Sequence, residues 1–202
     1  MERIDISTHN GTHLDAPWHF ASTMDGGKRA ITIDEVPLDW CFQPGVKLDF
    51  RRFADGYVAT AADVEAELKR IGHTARSRSR SSLVNTSAGV RYGEPDYVPT
   101  GCGMGREATL YLTSRGVRIT GTDAWSLGRP VRPHGQEVRR DQERAADLGR
   151  PQGRAARSAT ATSRSCTTWR RCRRSGFMVA CFPVKIKAAS AGWTRAVAII
   201  EE

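Results

Sequence analysis

A short stretch near the start of the chain, residues 7–20, limits the local backbone more than any other part of the sequence. It reads STHNGTHLDAPWHF, with three histidines and one aspartate arranged around a single glycine and a single proline. Asn10 and Gly11 are poor helix formers and Pro17 ends a helix, so a helical arrangement is not expected. The pattern predicts a strand over Arg3–Thr8, followed by a tight loop. In that loop Gly11 allows a positive φ or a close approach of the backbone, and the residue before Pro17 is extended.

The side chains of this stretch are of the kinds that hold a borderline divalent metal ion. If the loop folds onto one point, His9, His13 and Asp15 meet there, and neutral imidazole with carboxylate suits a metal such as zinc. His19 lies just beyond them, where an imidazole can move protons. For any single histidine, the alternative is a surface residue or a hydrogen-bonded core residue.

The string His-Asn-Gly-Thr-His-Leu-Asp-Ala-Pro-Trp-His resembles the H-x-G-T-H-x-D-x-P-x-H signature of the metal-dependent cyclase and kynurenine formamidase (arylformamidase) family. The resemblance implies that His9, His13 and Asp15 bind Zn²⁺ or Mn²⁺ and that His19 is the catalytic proton donor and acceptor. The implied reaction is hydrolysis of an amide or related acyl bond, with N-formylkynurenine of tryptophan catabolism as the best-known substrate. The implied partners are a small-molecule amide and a second copy of the chain in a homodimer.

Two later stretches resemble the same family. Residues 105–126 read GREATLYLTSRGVRITGTDAWS, a helix–strand unit that ends in a G-x-D-x-x-S pattern, and residues 177–200 resemble the family's final pair of strands. The implied fold class is α/β, a mixed β-sheet with flanking helices in a swivelling β/β/α-like arrangement. Because the signature stands so early, we expect the N-terminus to be truncated relative to the family.

Local patterns predict further elements between these stretches. Short strands are expected at 31–36 and 46–50, and 83–89 is typical of the end of a strand. A helix is expected to open at Thr60–Asp63 and to run through Ile71, with Thr60 as its N-cap, acidic residues early, basic residues late and Gly72 as its stop.

The net charge of +9 belongs to one segment of the chain. Between Arg129 and Arg174 there are thirteen Arg, no Lys and four acidic residues, while the rest of the chain carries 18 basic and 18 acidic residues and is neutral. This segment has one aromatic residue, Trp169, and shows no nucleic-acid recognition motif, so nucleic acid is not the expected partner. It also lacks apolar periodicity, and we expect a disordered or misfolded Arg-rich insert there.

One hypothesis explains the segment: it is translated out of frame. In this region the family supplies two more metal ligands, a His and a Glu twelve residues later, but the printed segment has only His134 and no Glu after Glu143. Slipping the frame by one nucleotide allows an amphipathic helix over 156–173. The recovered His falls at position 151 or 152 and the recovered Glu at 163 or 164, twelve residues apart. Residues 75–82 can likewise be read as Ser-Lys-Pro-Leu-Glu-Ile-Val, the buried strand that an α/β domain should have near this point.

The sequence therefore predicts three regions. Residues 1–128 form an N-terminally truncated cyclase-like metal-hydrolase domain, 129–175 form the anomalous segment, and 176–202 form the last strands of the same domain. The predicted activity is impaired, because the second-half His and Glu are missing. The alternatives are a non-catalytic fragment and a nucleic-acid-binding protein that uses the Arg-rich segment.

Cysteines and hydropathy indicate the compartment. Five cysteines at irregular spacing describe neither a disulfide framework nor a CxxC site, no run reaches transmembrane length, and no signal peptide is recognised. A cytoplasmic protein with no membrane partner is expected.

Overall fold

The computed structural model describes residues 1–73, 79–128, 159–162, 169 and 172–201. The main sheet is built from eight strands: β1 (His13–Asp15), β4 (Phe42–Asp49), β6 (Ser81–Asn85), β8 (Ile119–Thr122), β9 (Ala159–Thr162), β10 (Ser175–Ala180), β11 (Ala191–Trp193) and β12 (Val197–Ile200). Four two-residue strands form two small pairs: β2 (Thr23–Met24), β3 (Lys28–Arg29), β5 (Val58–Ala59) and β7 (Gly103–Met104). The helices are α1 (Pro17–Phe20), α2 (Ala61–Arg70) and α3 (Arg106–Ser114). This mixed sheet with flanking helices confirms the α/β fold expected from the sequence.

The order of the strands places the N-terminal histidine loop at one end of the sheet. The order is β11-β1-β9-β8-β6-β4-β10-β12, in which β4, β6, β8 and β9 are mutually parallel and the outer strands are antiparallel to their neighbours. His13 begins β1 and pairs with Thr162, which ends β9, and Thr162 pairs in turn with Thr122, which ends β8. The loop before β1 therefore lies at the carboxyl ends of the parallel strands, where ligand sites of open α/β sheets are found.

Helices α2 and α3 pack together on one face of the sheet. Thr60 caps α2, because its side chain accepts a hydrogen bond from the backbone N–H of Asp63 while the Asp63 carboxylate accepts one from the backbone N–H of Thr60. Gly72 follows with φ +69°. The predicted helix and its cap are thus confirmed. The core on this side is apolar: Val46, Leu48, Phe50, Ala59, Val64, Leu68, Val84, Cys102, Met104, Ala108, Leu112 and Val117.

The opposite face of the sheet carries a second core. Successive side chains of β6 point to opposite faces of the sheet, so Leu83 belongs to this second core and Val84 belongs to the core under the helices. The second core is covered by the loops around residues 31–41 and by the chain after β10. Its buried members are Leu14, Ala16, Ile33, Val36, Cys41, Leu83, Ile119, Trp169, Phe177, Val179 and Cys181.

Strand β6 begins with two serines in a fully buried position. Ser81 and Ser82 are each 0% exposed, and within the described part of the chain neither hydroxyl has a hydrogen-bond partner. A buried hydroxyl left without a partner costs about 1–3 kcal/mol. These serines end the 75–82 stretch, for which a slipped frame gives Ile-Val instead. The burial supports the out-of-frame hypothesis, which stays a prediction, and residues 74–78 lie outside the described part of the chain.

Two predicted strands are wrong. Residues 3–8 form no strand, and Ile4 and Ile6 stay 73% and 51% exposed, because their alternation supplies no neighbouring strand with which to pair. Residues 31–36 contain a short 3-10 helix, Ile33–Glu35. Here Thr32 and Glu35 form a reciprocal capping box, a local set of hydrogen bonds that competes with pairing in a sheet.

Parts of the Arg-rich segment take part in the fold. Ala159–Thr162 form β9 inside the main sheet, and Trp169 is 3% exposed in the second core. We expected no core element from 129–175. The exception has a physical reason, since Ala-Thr-Ala-Thr carries no charge and half of it is β-branched. Positions 151–152 and 163–164, where the frame hypothesis places the missing His and Glu, lie outside the described residues.

Candidate metal centre

The loop that carries the histidines is shaped by its glycine and its proline. Gly11 has φ +64°, and the backbone N–H of Asn10 donates to the carbonyl of Ser7 at 3.1 Å, which closes the turn. Ala16 is extended, with φ −77° and ψ 160°, and Pro17 occupies the first turn of α1. The positive φ at Gly11 and the extended residue before Pro17 are as predicted. The loop leads into the strand rather than out of one, since β1 follows it.

His13 and Asp15 share one face of β1. They stand two positions apart in a strand, so their side chains point the same way, and His13 Nε2 lies 3.3 Å from Asp15 Oδ1. Both residues are buried, with 4% and 5% exposure. His13 Nδ1 lies 2.9 Å from the carbonyl oxygen of Gly11. A carbonyl only accepts, so Nδ1 carries a proton and Nε2 is the nitrogen directed to Asp15.

His9 approaches the same carboxylate from the loop. Its Nδ1 is 2.9 Å from Asp15 Oδ1, and its Nε2 is 2.9 Å from the hydroxyl of Ser190. Ser190 comes just before β11, and its carbonyl oxygen accepts from the backbone N–H of Ala16 at 2.9 Å. No sequence pattern points to Ser190, because its position beside His9 depends on the pairing of β11 with β1.

His19 on α1 completes the group. One potential ligand atom from each of His9, Asp15 and His19 lies within 4.8 Å of the others, and the rings of His9 and His19 are 4.5 Å apart between centroids. His19 is exposed at the surface, whereas His13 is buried behind Asp15. The structure therefore brings together all four residues singled out in the sequence. The division of roles among them, with His13 as a ligand and His19 as a proton carrier, stays a prediction.

The charges around Asp15 favour its carboxylate form. Burial alone would raise the pKa of Asp15, but hydrogen bonds from His13 and His9 and the positive potential of the imidazoles outweigh it and lower the pKa to about 2. Burial lowers the pKa of His19, as do His9 and His13, while the Asp15 charge opposes them. The group thus presents a charged Asp15 carboxylate near pH 7, with the His19 imidazole shifted towards its neutral form.

The donor set fits a divalent cation. His13 Nε2 faces a carboxylate oxygen while Nδ1 already carries a proton, so the contact needs either a second proton on the ring or a cation shared by the two atoms. Two or three imidazoles with one carboxylate are the ligands that zinc and related borderline metals take. The other nitrogen of each ring is also held, since His13 Nδ1–H donates to the Gly11 carbonyl and His9 Nε2 lies 2.9 Å from the Ser190 hydroxyl.

The G-x-D-x-x-S pattern contributes a buried brace rather than a further member of this group. Asp123 accepts hydrogen bonds from the backbone N–H and hydroxyl of Thr86 at 2.8 and 2.7 Å and from Asn85 Nδ2 at 2.6 Å. Burial raises the pKa of Asp123, and these hydrogen bonds act against that rise. The contacts tie the carboxyl ends of β6 and β8 together, at the end of the sheet where the histidine loop lies.

In the sequence, Cys102 lies in a glycine-rich stretch, Gly101–Gly105, where a cysteine is either a reactive thiol or a small residue in a tight turn. It is 2% exposed, Gly101 before it has φ +99°, and burial raises the pKa of the thiol to about 12. These facts favour the turn reading, because a reactive cysteine needs an accessible thiolate.

Solved structures share this fold at low sequence identity. The chain is 18% identical to an isatin hydrolase bound to the product analogue thioisatinate, covering 98% of this chain and 74% of that one with a TM-score of 0.73. It is 20% identical to isatin hydrolase A from Labrenzia aggregata, covering 99% and 76% with a TM-score of 0.73. A predicted metal-dependent hydrolase from Bacillus stearothermophilus is 20% identical, covering 97% and 79% with a TM-score of 0.57.

Curated proteins and family models provide two further comparisons. No curated protein matches the chain. In the described residues, no helix has both the length and the apolar character needed to cross a membrane. The family model named Cyclase, described as putative cyclase, matches residues 2–129, which include the histidine loop, the carboxyl ends of β4, β6 and β8, and the Asp123 brace. The chain therefore belongs to the Cyclase family.

Proposed function

We propose that this chain is a metal-dependent hydrolase of an amide or related acyl bond, with low activity in the sequence as it stands. The observation that carries the proposal is the convergence of His9, Asp15 and His19 within 4.8 Å, with His13 Nε2 3.3 Å from the same carboxylate. A bound divalent ion supplies Lewis-acid chemistry at such a site, polarising a carbonyl and making water more acidic.

The other roles at the site belong to groups of the chain itself, which retain the ion, hold the imidazole rings and transfer protons. Asp15 supplies the negative charge that retains a cation, and its low pKa keeps that charge across the neutral range. Ser190 and the Gly11 carbonyl hold the rings of His9 and His13. His19 is exposed at the mouth of the group and is neutral near pH 7, so it accepts a proton from water and returns it to the leaving amine.

The proposal of low activity rests on the Arg-rich segment. By resemblance, the family draws two more ligands, a His and a Glu, from this part of the chain. The segment as printed offers only His134 and has no Glu after Glu143. A site with fewer ligands holds its ion less tightly, and loss of supporting groups costs about 10–100-fold in affinity or activity.

Two kinds of observation support a proposal for the substrate class: the solved structures that share the fold, and the residues around the site. Isatin hydrolases share the fold, and isatin is a cyclic amide fused to an aromatic ring. N-formylkynurenine, the substrate implied by the sequence signature, is a formamide of an aromatic amine. Trp18 is 42% exposed next to His19, and Phe20 packs edge-on against the His19 ring at 4.8 Å. We propose a small aromatic amide, cyclic or N-formyl.

The test is hydrolysis of isatin and of N-formylkynurenine by the purified chain with Zn²⁺ or Mn²⁺. We expect slow turnover that EDTA abolishes and that either metal restores. His19→Gln should lower kcat by about 10²–10⁴-fold, the usual contribution of a general acid–base group. His73→Gln, which changes an imidazole after α2, is the matched control and should keep full activity. Turnover that resists EDTA, or that His19→Gln leaves intact, would contradict the proposal.

A further inference from the structure

Two cysteines lie opposite each other where β4 and β10 meet. The last paired residues of these antiparallel strands are Phe42 and Ala180, and one step further out the backbone N–H of Cys181 donates to the carbonyl of Cys41 at 2.9 Å. Opposed residues of an antiparallel pair have Cα atoms about 4.5–5.5 Å apart. A disulfide spans Cα separations of about 4.4–6.8 Å. The backbone is therefore already placed for a bond between these two residues.

The sulfur atoms also face the same interior. Cys41 is 0% and Cys181 1% exposed, and both belong to the core cluster that contains Leu14 and Ala16. Cys181 Sγ donates to the Cys41 carbonyl oxygen at 3.7 Å, and Cys41 Sγ donates to the Pro37 carbonyl oxygen at 3.9 Å. The two thiols are close enough for each to shift the pKa of the other. Both are free thiols in the structure. Cys102 differs, because it lies in the other core cluster with its Sγ 3.9 Å from the carbonyl of Phe50.

The contact makes the two thiols unequal. Interaction with the neighbouring Cys181 thiol lowers the pKa of Cys41, against the effect of burial. The same interaction, together with burial, raises the pKa of Cys181. Because the thiolate is the nucleophile in disulfide exchange, Cys41 is the residue that attacks first.

We propose that Cys41 and Cys181 form an oxidisable dithiol that closes to a cross-strand disulfide on reaction with a small disulfide such as oxidised glutathione. The Cys41 thiolate attacks one sulfur of the reagent, forms a mixed disulfide and releases one glutathione thiolate. Cys181 then loses its proton, attacks the Cys41 sulfur and releases the second glutathione. The two protein thiols give up two protons and two electrons, and the reagent is reduced to two thiols.

The surroundings set how the reagent gains access and what the bond does. Phe42 and Phe182 flank the two cysteines and are 43% and 49% exposed, so local opening of the strand ends is enough to uncover the sulfurs. The bond would join residues 140 positions apart. Closing so long a loop restricts the unfolded chain, so the oxidised form should unfold at a higher urea concentration than the reduced form.

The experiment uses the full chain with Cys166→Ser and Cys172→Ser, which removes the two cysteines of the Arg-rich segment. The reduced protein is incubated with oxidised glutathione, quenched with an alkylating agent and mapped as peptides without reduction. We expect one linked peptide pair, Cys41 with Cys181, which dithiothreitol separates. Cys102→Ser should leave that pair unchanged, and Cys181→Ala should leave one glutathione on Cys41.

Each other outcome overturns the inference. A stable glutathione adduct on Cys41 beside an unmodified Cys181 would show that the sulfurs do not meet. A link between Cys41 and Cys102 would show that the pair is not selected by the strand register. Two alkylated thiols after prolonged incubation would show that the pair is not oxidisable by this reagent.

Discussion

Ser82→Ala should stabilise the protein, which is unusual for a change in the centre of a sheet. Ser82 lies in β6 between β4 and β8, shares the helix-facing side of the strand with Val84, and is 0% exposed. Its hydroxyl has no hydrogen-bond partner within the described part of the chain. Alanine removes that oxygen and keeps the Cβ in place, so nothing needs to move.

The size of the effect follows from two opposing terms. Leaving a buried hydroxyl without a partner costs about 1–3 kcal/mol, and Ala recovers that cost. The deleted oxygen leaves a void smaller than a methyl group, which costs less than about 1 kcal/mol. The net expectation is an increase of about 1 kcal/mol in the free energy of unfolding. With a urea m-value of about 2 kcal/mol/M, the unfolding midpoint should rise by about 0.5 M.

Equilibrium urea unfolding of both chains, followed by far-UV circular dichroism, measures this shift. Ser87→Ala is the matched control, because the Ser87 hydroxyl donates to Asp55 Oδ1 at 2.9 Å. That change should be neutral or should lower stability by up to about 1 kcal/mol. A midpoint that falls for Ser82→Ala, with an unchanged m-value, would refute the reasoning and show that the hydroxyl has a partner in the folded chain.

Three further predictions concern the sheet, a buried carboxylate and the frame. Gly45→Ala should destabilise the fold by about 1–3 kcal/mol or more, because a Cβ there would lie 2.3 Å from Phe177 Cε2 and 2.7 Å from Val179 Cγ2. Gly128→Ala, whose Cβ meets nothing closer than 3.7 Å, is the control and should leave the thermal midpoint unchanged. Equal thermal midpoints for the two variants would contradict the packing around Gly45. Burial of Glu67 raises its pKa, but hydrogen bonds from Arg70, the Asp49 N–H and Arg52 outweigh this and hold the pKa below its ordinary value. The stabilisation is therefore complete above the unfolded pKa and is lost as pH falls through the folded pKa, so Glu67→Gln should flatten the acid limb of a stability–pH curve. An unchanged limb would count against the ion pairs. A gene in which small insertions restore the frame across 75–82 and 129–175 should give a chain that binds the metal more tightly and hydrolyses the amide faster than this one. Both chains are measured side by side. Equal metal affinities and equal rates would argue that the segment is native as it stands.

Local chemistry made the histidine loop and the helices predictable. The positive φ at Gly11, the extended residue before Pro17 and the Thr60 cap of α2 depend on neighbouring residues only, and all three are observed. The signature string also identified the four side chains that the fold brings together. Such features are visible in sequence because the interactions that form them span a few residues.

Features that depend on distant partners were not predictable. Ser190 and His9 are 181 positions apart along the chain, and they meet only because β11 pairs with β1. The strand predicted over 3–8 is not formed, since an alternating pattern does not supply a neighbouring strand for it to pair with. Strand β9 was not predicted, and Ala-Thr-Ala-Thr forms it between β1 and β8. The opposed cysteines likewise depend on the register of β4 with β10.

Isothermal titration of the metal-free chain with Zn²⁺ tests the central claim most directly. The account predicts binding of one ion per chain, abolished by Asp15→Asn, strongly weakened by His9→Gln and unchanged by His73→Gln. Circular dichroism of each variant confirms that the fold is retained. Binding that is the same in the intact chain and in Asp15→Asn, or no binding by a chain that is folded, would contradict the assignment of this group as a metal centre.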